Sequence, residues 1–288
     1  MILEARDLVF AYGPGQPAIR GMNFALDTPR RVCLLGANGV GKSTLMMLLN
    51  GTLRPLEGEL SVLSRTIDYS RAGLHALRRE VGVVLQDPDD QLFAATVEQD
   101  VAFGLLNNGM DSAAARIIVN ETLDKLGISH LADRPVHELS LGEKKRAALA
   151  GILVLRPKII LLDEPTAGLD YAGISAMLGL LNDLYAAGTT LIVSTHDSDM
   201  AYEWADEAWV MADGHIAAQG PVEDVFRQVE VLHQAHLRVP ALVELGISLY
   251  EAYPELAVEP LPRSRDGLAA LIRETNGTLA QRPGEKAA

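Results

Sequence analysis

The sequence is short of cysteine and of positive charge, and both shortages exclude classes of protein. A single cysteine, Cys33, occurs in 288 residues, so the chain cannot form an internal disulfide, which fits a reducing compartment. It lies in the apolar segment RVCLLG, where we expect a buried thiol rather than a reactive one. Lys and Arg number 25 against 38 Asp and Glu, and the net charge of -13 argues against nucleic acid as a partner bound through a broad basic face.

Long apolar runs are also missing. The run at 147–155 is about half of the roughly 20 residues that a helix needs to span a bilayer. No N-terminal stretch has the charged, apolar and small-residue layout of a signal peptide. We therefore expect any membrane role to be played through a partner. The length, with 48% hydrophobic residues, is enough for a large core and one small appended domain.

The chain begins with strand patterns and then alternates strands with helices. Residues 1 to 30 predict two strands joined by a turn at Gly13-Pro14-Gly15, and a short apolar strand follows at 31–35. A helix closed by Gly51 comes next, then β-like alternation at 53–69 and a buried strand at 81–86. Helical patterns dominate 90–157, before apolar strands at 158–164 and 189–197.

The fold class that these patterns predict is α/β, with a mostly parallel sheet and antiparallel strands at one edge. Asp213-Gly214, between WVMA and HIAA, indicates a tight hairpin. Beyond Pro221 the pattern is helical to about residue 252, and the Pro-rich stretch PELAVEPLP then leads to one more short helix. We expect the tail at 281–288 to be disordered.

The segment GANGVGKS at 36–43 fits the pattern G-x-x-x-x-G-K-[ST] between a strand and a helix. Glycines let backbone N–H groups wrap the phosphates of a nucleotide, and the following helix adds its positive N-terminus. Lys42 brings a cation to the phosphates, and Ser43 brings a hydroxyl ligand for Mg²⁺. Because all four fixed positions and both flanks match, we predict a phosphate site rather than a plain glycine-rich turn.

Two adjacent carboxylates, Asp163 and Glu164, end the apolar strand IILLDE. The carboxyl end of a parallel strand faces the ligand crevice, so both should lie near the phosphates. We expect Asp163 to support Mg²⁺, directly or through another ligand, and Glu164 to polarise the attacking water as general base. An acidic strand end alone is weak evidence, but with the phosphate loop it predicts a nucleotide-hydrolysing site.

In this context the segment Leu139-Ser140-Leu141-Gly142-Glu143 resembles the Leu-Ser-Gly-Gly-Gln signature of ATP-binding-cassette ATPases. Other marks of that family follow in order over about residues 1 to 220, namely Tyr12, the phosphate loop, Gln86, the acidic pair, AGLD at 167–170 and His196. The resemblance implies a P-loop nucleotide domain at 1–220 with an antiparallel β subdomain and an inserted helical subdomain at about 90–157. The C-terminal extension at 221–288 is expected to pack on, or join, a dimer.

The resemblance also implies residue roles. Tyr12 stacks on adenine, His196 holds the γ-phosphate and the water, and Gln86 completes the Mg²⁺ and water shell and reports nucleotide occupancy. The implied ATP contacts are Tyr12, Gly36, Asn38, Gly39, Gly41, Lys42, Ser43 and Thr44. The implied catalytic residues are Glu164, His196 and Gln86, and the implied Mg²⁺ ligands are Ser43, Gln86 and Asp163.

Ser140 and Glu143 form the S-x-x-E pattern of a capping box. This helix end would present a positive partial charge, the Ser140 hydroxyl and the Gly142 N–H to whatever lies before it. In the family that object is the γ-phosphate held by the other subunit, and Asp170 contacts the opposite phosphate loop. No arginine finger is evident near the loop, so we expect partial stabilisation in trans by a dimer that sandwiches two ATP molecules. A homodimer is permitted but not required.

Two positions depart from the family pattern. Leu141 replaces the first signature glycine, which is tolerable if its φ stays negative, and it has no functional explanation at this stage. Glu143 replaces glutamine and adds a negative charge near the nucleotide. We expect both to modulate rate or coupling rather than abolish hydrolysis. The cations that follow, Lys144, Lys145 and Arg146, are expected to be solvated or to face a partner.

The segment after Gln86 resembles that of energy-coupling-factor transporter ATPases, and LHQAHLRVPALVELGISL resembles the tail of the cobalt and nickel branch. We interpret its carboxylates, with two apolar anchors, as a groove for basic motifs of a transmembrane coupling subunit. This docking set is Asp87, Asp89, Asp90, Leu92, Phe93 and Glu98, with Asp100 in the same acidic patch. His233 and His236 share a helix face but lack a carboxylate or cysteine, which disfavours a metal site.

The resemblance thus implies the ATP-hydrolysing subunit of an energy-coupling-factor importer of cobalt or nickel, at the cytoplasmic face of the cell membrane. Its expected partners are a second ATPase subunit, a transmembrane coupling subunit and a substrate-binding membrane subunit, and its expected cofactors are ATP and Mg²⁺. Two alternatives stay open. One is a vitamin importer of the same architecture with paired paralogous ATPases, and the other is a soluble cassette ATPase acting as a mechanical switch.

Overall fold

The structure, a computed structural model, describes residues 1–15, 17–254 and 260–280. Its framework is two β-sheets. The ten strands are β1 (Leu3–Phe10), β2 (Ile19–Leu26), β3 (Arg31–Leu35), β4 (Glu57–Val62), β5 (Arg65–Thr66), β6 (Val81–Val84), β7 (Ile159–Asp163), β8 (Thr190–Thr195), β9 (Glu207–Ala212) and β10 (His215–Pro221). One sheet is antiparallel, in the order β2-β1-β4-β5, and the other has the order β10-β9-β3-β8-β7-β6.

The six-stranded sheet confirms the predicted α/β class. Strands β6, β7, β8, β3 and β9 run parallel to their neighbours, and β10 is the antiparallel edge strand. The β9–β10 hairpin turns at Asp213-Gly214, where both residues have positive φ, as predicted. The carboxyl ends of β3, β7 and β8 therefore meet at one edge of the sheet.

Eleven α-helices occur in the part of the chain that the structure describes. They are α1 (Lys42–Leu49), α2 (Arg71–Glu80), α3 (Val97–Asn107), α4 (Ser112–Lys125), α5 (Leu141–Leu153), α6 (Tyr171–Ala186), α7 (Ser198–Trp204), α8 (Val222–Phe226), α9 (Val229–Gln234), α10 (Ala241–Ala252) and α11 (Arg265–Ala280). None of them is long and apolar enough to cross a membrane within the described ranges.

The region beyond Pro221 is helical to residue 252, as predicted. It is divided into three helices, because the chain breaks after Phe226 and again at His236, where φ is +56, and Pro240 precedes α10. Helix α2 was not predicted at all; it has no fully buried residue, although Leu74 and Leu77 are half-buried against the core shared with the antiparallel sheet. The predicted disordered tail at 281–288 lies outside the described residues.

Strand β3 separates two apolar cores, because alternate side chains of a strand point to opposite faces. Val32 and Leu34 belong to the core shared with the antiparallel sheet and α1, whereas Cys33 and Leu35 belong to the core beneath α3 to α10. Burial raises the pKa of the Cys33 thiol, which is fully inaccessible, as the sequence predicted.

The C-terminal extension shares this second core. Phe226 in α8, Leu232 in α9 and Val243 in α10 are fully buried in the same apolar cluster as Cys33. The guanidinium of Arg263 donates to the carbonyls of Tyr202 and Ala205 at the end of α7 and pairs with Glu223 at 3.1 Å. The extension therefore packs directly on the nucleotide domain.

Candidate functional site

The phosphate loop at 36–43 connects β3 to α1, as predicted. Three of its glycines have positive φ, namely Gly36, Gly39 and Gly41. At Gly36 an added Cβ would lie 2.5 Å from the carbonyl oxygen of Met211, and at Gly41 it would lie 2.9 Å from that of Ala18. The loop is thus confined by the backbone of β9 and of the first hairpin, so only glycine fits at these two positions.

Lys42 is the cation of this loop, and it is buried. Its Nζ donates to the carbonyl oxygens of Gly36 at 2.7 Å and Ala37 at 3.1 Å. Burial lowers the pKa of Lys42, and the carboxylates of Glu164 and Asp163 oppose that shift. A cation held among backbone carbonyls at the first turn of a helix is placed to receive phosphate oxygens.

Asp163 lies at the carboxyl end of β7 and joins two neighbouring elements. Its Oδ2 accepts a hydrogen bond of 2.5 Å from the Ser43 hydroxyl, and its Oδ1 accepts one from the hydroxyl of Ser194 in β8. A carboxylate and a hydroxyl oxygen, completed by phosphate oxygens, are the ligands that Mg²⁺ takes in nucleotide sites. These residues therefore fit magnesium. No group of three or more His, Cys, Asp and Glu side chains suited to a metal occurs in the described ranges, so phosphate oxygens would have to complete the set.

Glu164 follows directly and has an unusual backbone, with φ of +46. Its N–H donates to the carbonyl oxygen of Ser194 at 3.2 Å and to the Ser194 hydroxyl at 3.1 Å. Its Oε1 lies 2.8 Å from Nδ1 of His196, which comes just after β8. An ionised carboxylate only accepts, so His196 then donates through Nδ1–H, leaving the second oxygen of Glu164 available for a water.

These residues surround one cavity of about 500 Å³ at the carboxyl ends of the parallel strands. Its lining contains all but one of the predicted ATP, metal and catalytic residues of a single chain: Tyr12, Asn38, Gly39, Gly41, Lys42, Ser43, Thr44, Gln86, Asp163, Glu164 and His196. Gly36 lies behind it. The exposed Tyr12 is steadied by a 3.0 Å hydrogen bond between its hydroxyl and the Thr44 hydroxyl and by an edge contact with Phe10.

A second cavity of about 500 Å³ lies at the opposite, amino ends of β7 and β8 and is lined by Lys125, Arg156 and Lys158 among others. None of the predicted site residues lines it. Ligands of open α/β sheets bind at the carboxyl ends of the strands, so the first cavity is the candidate nucleotide site.

The predicted trans residues Ser140, Gly142, Glu143 and Asp170 do not line the nucleotide cavity of their own chain. The capping box that opens α5 is confirmed. Ser140 N–H and its hydroxyl both donate to Glu143 Oε2, at 2.7 and 2.8 Å, and these bonds lower the pKa of Glu143. Glu143 therefore accepts the hydrogen of the Ser140 hydroxyl, and it also adds a negative charge at the start of α5.

The signature segment and the AGLD segment at 167–170 lie side by side. A Cβ added to Gly168 would come within 2.8 Å of Leu141 Cδ2, and one added to Gly142 would lie 3.6 Å from Leu169 Cδ2. The φ of Leu141 is not positive, which was the condition for tolerating it. Leu141 thus packs over Gly168, a contact that no glycine could make. Asp170 caps α6 by accepting from the Gly173 N–H at 2.7 Å.

The predicted acidic docking set needs two corrections. Leu92 is buried in the apolar core beneath α3 and α5, so it cannot be an exposed anchor. Asp100 is also buried, and its Oδ2 accepts from the N–H groups of Phe93 and Ala94, both at 2.8 Å. The remaining carboxylates lie near the surface, where Asp89 pairs with Lys144 at 2.6 Å and Glu98 with Arg116 at 3.2 Å.

An aromatic pair takes the place that Leu92 was expected to fill. Phe93 is 64% exposed, Phe103 is 46% exposed, and their ring centroids lie 4.7 Å apart edge to face. Leu106, one turn further along α3, is exposed on the same side. Phe103 and Leu106 were missed, although i, i+3 spacing opposite the buried Val97, Val101 and Leu105 could have indicated them.

The expectation for the cations after the signature is wrong at Lys145. That side chain is only 4% exposed, and its Nζ donates to the carbonyl oxygens of Glu164 at 2.9 Å and Pro165 at 3.1 Å. Gln91 is another unpredicted link, because its amide accepts from the Leu85 N–H and donates to the Ala148 carbonyl, both at 3.0 Å. Helix α5 is therefore tied to the segments that carry Glu164 and Gln86.

The fold and the nucleotide cavity define a P-loop ATP-binding cassette. Residues 19–167 match the family model for the ABC transporter, and the chain belongs to this family. Like the ATP-binding subunits of that family, it is an ATPase.

Two curated relatives cover most of the chain. EcfA of Methanocaldococcus jannaschii, an energy-coupling factor transporter ATP-binding protein, is 46% identical over 244 residues, which are 85% of this chain and 88% of the relative. CbiO of Rhodobacter capsulatus, a cobalt import ATP-binding protein, is 46% identical over 269 residues, which are 93% of this chain and 96% of the relative. The solved structure of CbiO1 from Clostridium perfringens, part of the ABC transporter complex CbiONQ, superposes with a TM-score of 0.72 at 43% identity and covers 85% of this chain and 98% of that one.

Proposed function

We propose that this chain is the ATP-hydrolysing subunit that powers an energy-coupling-factor importer of cobalt or nickel. The observation that carries the catalytic part is the convergence of Lys42, Ser43, Asp163, Glu164 and His196 on one cavity. The substrate class is supported by a relative named as a cobalt import ATP-binding protein and by a neighbouring structure from a CbiONQ complex.

In the proposed reaction the phosphate loop and Lys42 hold the phosphates of ATP, and Tyr12 supports the adenine. Ser43, Asp163 and Gln86 would hold Mg²⁺, which when bound neutralises charge on the phosphate oxygens. Glu164, oriented by His196, takes a proton from the water whose oxygen attacks the γ-phosphorus, while the bond from that phosphorus to the bridging oxygen breaks. ADP and phosphate are the products.

The proposed unit is a dimer, because Ser140, Gly142, Glu143 and Asp170 lie outside the cavity of their own chain. The start of α5 is a positive helix end that includes the Gly142 N–H, which suits a γ-phosphate held by a second chain. The Ser140 hydroxyl would turn from Glu143 to donate to that phosphate. A second copy of this chain supplies both halves, so we propose a homodimer.

The proposed partner surface comprises Phe93, Phe103 and Leu106 with the carboxylates Asp87, Asp89, Asp90 and Glu98 beside it. Exposed aromatic anchors ringed by acidic side chains suit an amphipathic, basic helix of a membrane subunit. It lies just after Gln86, so dimer closure on ATP would move the attached membrane helices. We therefore propose that the chain lies peripherally at the cytoplasmic face of the membrane.

Replacement of Asp100 tests how this surface is built. Asp100→Ala removes the acceptor of two buried N–H groups and is expected to lower the free energy of unfolding by about 1–3 kcal/mol. The matched variant Glu98→Ala breaks a partly exposed ion pair and should cost about 0–1 kcal/mol. Urea unfolding of both variants measures the difference, and equal midpoints would show that Asp100 does not hold the Phe93 segment.

Co-purification and uptake test the function itself. The tagged chain, extracted from membranes in mild detergent, should bring down integral membrane subunits; a purely soluble partner would favour the mechanical-switch alternative instead. Cells with the intact transporter should accumulate labelled Co²⁺ or Ni²⁺, and cells carrying only the Glu164→Gln chain should not. Uptake of neither ion would overturn the metal assignment and favour the vitamin importer; the equally similar EcfA relative is named for no particular substrate.

A further inference from the structure

Lys145 is a buried lysine that forms no direct ion pair with a carboxylate of the described residues. Its stem runs from α5 into the protein interior, and its Nζ donates hydrogen bonds to the main-chain oxygens of Glu164 and Pro165. Burial lowers the pKa of Lys145, and the carboxylates of Glu164 and Asp87 oppose the shift only in part. Taking an ammonium out of water is unfavourable, and an apolar residue would serve packing better at this position.

One acceptor of these hydrogen bonds is the backbone of Glu164, the proposed general base. Glu164 has a φ of +46, a conformation that non-glycine residues adopt only when their surroundings hold them there. Two elements do so from opposite sides. Ser194 of β8 accepts from the Glu164 N–H, and Lys145 of α5 donates to the Glu164 carbonyl oxygen. His196 then fixes the side chain.

The same helix presents the proposed trans contacts. Lys145 lies little more than one helical turn after Ser140, and Gly142 lies between them. The capping box and the contact of Leu141 with Gly168 make this helix start a rigid part of its own chain. A shift of Ser140 or Gly142 would therefore move the start of the same helix that carries Lys145.

We propose that Lys145 is a positioning residue that ties the backbone of Glu164 to the signature helix, so that engagement of Ser140 and Gly142 by the partner's ATP sets the position of Glu164 in the chain's own site. This coupling rests on the proposed dimeric function, because it needs a γ-phosphate in trans. Each chain then carries a link between the two ATP sites, and hydrolysis at one site depends on occupancy of the other.

Neighbouring contacts extend the link to the partner surface. Lys144 points to the other side of α5 and pairs with Asp89, while the Gln91 amide connects Leu85 to Ala148. The segment after Gln86 is thus fastened to the same helix that holds Glu164. Unlike Lys144 and Gln91, Lys145 donates directly to the backbone of Glu164.

The test compares Lys145→Met, which keeps an unbranched stem but removes the donors, with Lys145→Arg, which keeps charge and donors. The matched control is Lys158→Met, which removes an exposed lysine just before the start of β7, the strand that ends at Glu164. We measure binding of a fluorescent ATP analogue, kcat and KM for ATP, the Hill coefficient for ATP and the unfolding midpoint.

For Lys145→Met we expect analogue binding within about twofold of wild type, kcat lower by about 10- to 100-fold, and a Hill coefficient that falls to about 1. Lys145→Arg should recover part of kcat and of the Hill coefficient. Lys158→Met should match the wild type in all four measurements.

Two results overturn the proposal. One is an unchanged kcat and Hill coefficient in Lys145→Met. The other is a purely structural effect, in which the unfolding midpoint, analogue binding and kcat fall together while the Hill coefficient stays at the wild-type value. If Lys145→Met does not fold, Lys145→Gln is judged by the same criteria.

A failure of the proposed dimeric function would give a different set of results. In that case the wild type itself shows a Hill coefficient of about 1 and a turnover per chain that does not change with protein concentration. A Hill coefficient above 1 that survives in Lys145→Met would instead leave the dimer intact and remove only Lys145 from the link.

Discussion

Glu164→Gln is expected to lower kcat for ATP by about 10²- to 10⁴-fold while ATP binding is retained. The substitution keeps the size of the side chain and an acceptor oxygen for His196 Nδ1–H, so the pocket should not change shape. It removes the carboxylate that takes the proton from the attacking water. With hydrolysis blocked, ATP stays in the closed site and a stable ATP-bound dimer should accumulate.

The measurements are phosphate release under steady-state conditions and size-exclusion chromatography with and without MgATP. Glu121→Gln on the exposed face of α4 makes the same chemical change away from the site and should leave turnover at the wild-type level. Full turnover in Glu164→Gln would refute the role of this carboxylate as general base.

The second large effect is expected at the signature. Gly142→Asp should abolish steady-state hydrolysis and leave ATP binding to the isolated chain unchanged. A Cβ at this position would meet only Leu169, at 3.6 Å, an ordinary contact, so the fold tolerates it. The new carboxylate, however, faces the place where the partner's γ-phosphate is expected, and like charges at such distances repel strongly in a dry site. Gly142→Ala should therefore keep most activity.

The matched control is Gly151→Asp, which adds the same charge near the other end of α5, where a Cβ has open space. A mixing experiment then separates a trans role from a local one. Lys42→Ala disables the phosphate loop, and Gly142→Asp disables the signature. Random pairing of the two inactive chains forms one intact composite site in each mixed dimer, about one quarter of all sites. Because the other site of a mixed dimer is disabled, the coupling proposed through Lys145 predicts a regained activity well below one quarter of the wild-type rate, but above that of either component. A mixture as inactive as its components would contradict a shared site.

The sequence could predict which residues line the candidate nucleotide cavity, because most of the motifs involved are local. The phosphate loop, the Asp163-Glu164 strand end and the hairpin at Asp213-Gly214 each depend on neighbours in the chain, and a parallel sheet brings strand ends together by topology alone. His196 and Gln86 also line this cavity, but they were predicted from the order of the family's motifs rather than from any local pattern.

Burial of polar residues is where sequence reasoning fails, because it depends on contacts distant in the chain. Lys145 follows Lys144 in a run of three cations, yet one lysine lies on the surface side beside Asp89 and the other reaches Glu164. Asp100 stands among the acidic residues after Gln86, but its side chain is buried and accepts hydrogen bonds from two backbone N–H groups. Leu92 and Phe93 are adjacent apolar residues, and only the path of the backbone decides which one is buried.

The inaccessible thiol of Cys33 has a practical consequence for measuring the motions of the dimer. Because the native Cys33 is buried between the sheet and its helices, the unmodified folded chain should not react with a maleimide. One cysteine introduced for the 88% exposed Tyr171, next to Asp170, would then carry the only reactive label on each chain. The distance between the labels of two chains would then report how closely the chains approach as ATP is bound and hydrolysed.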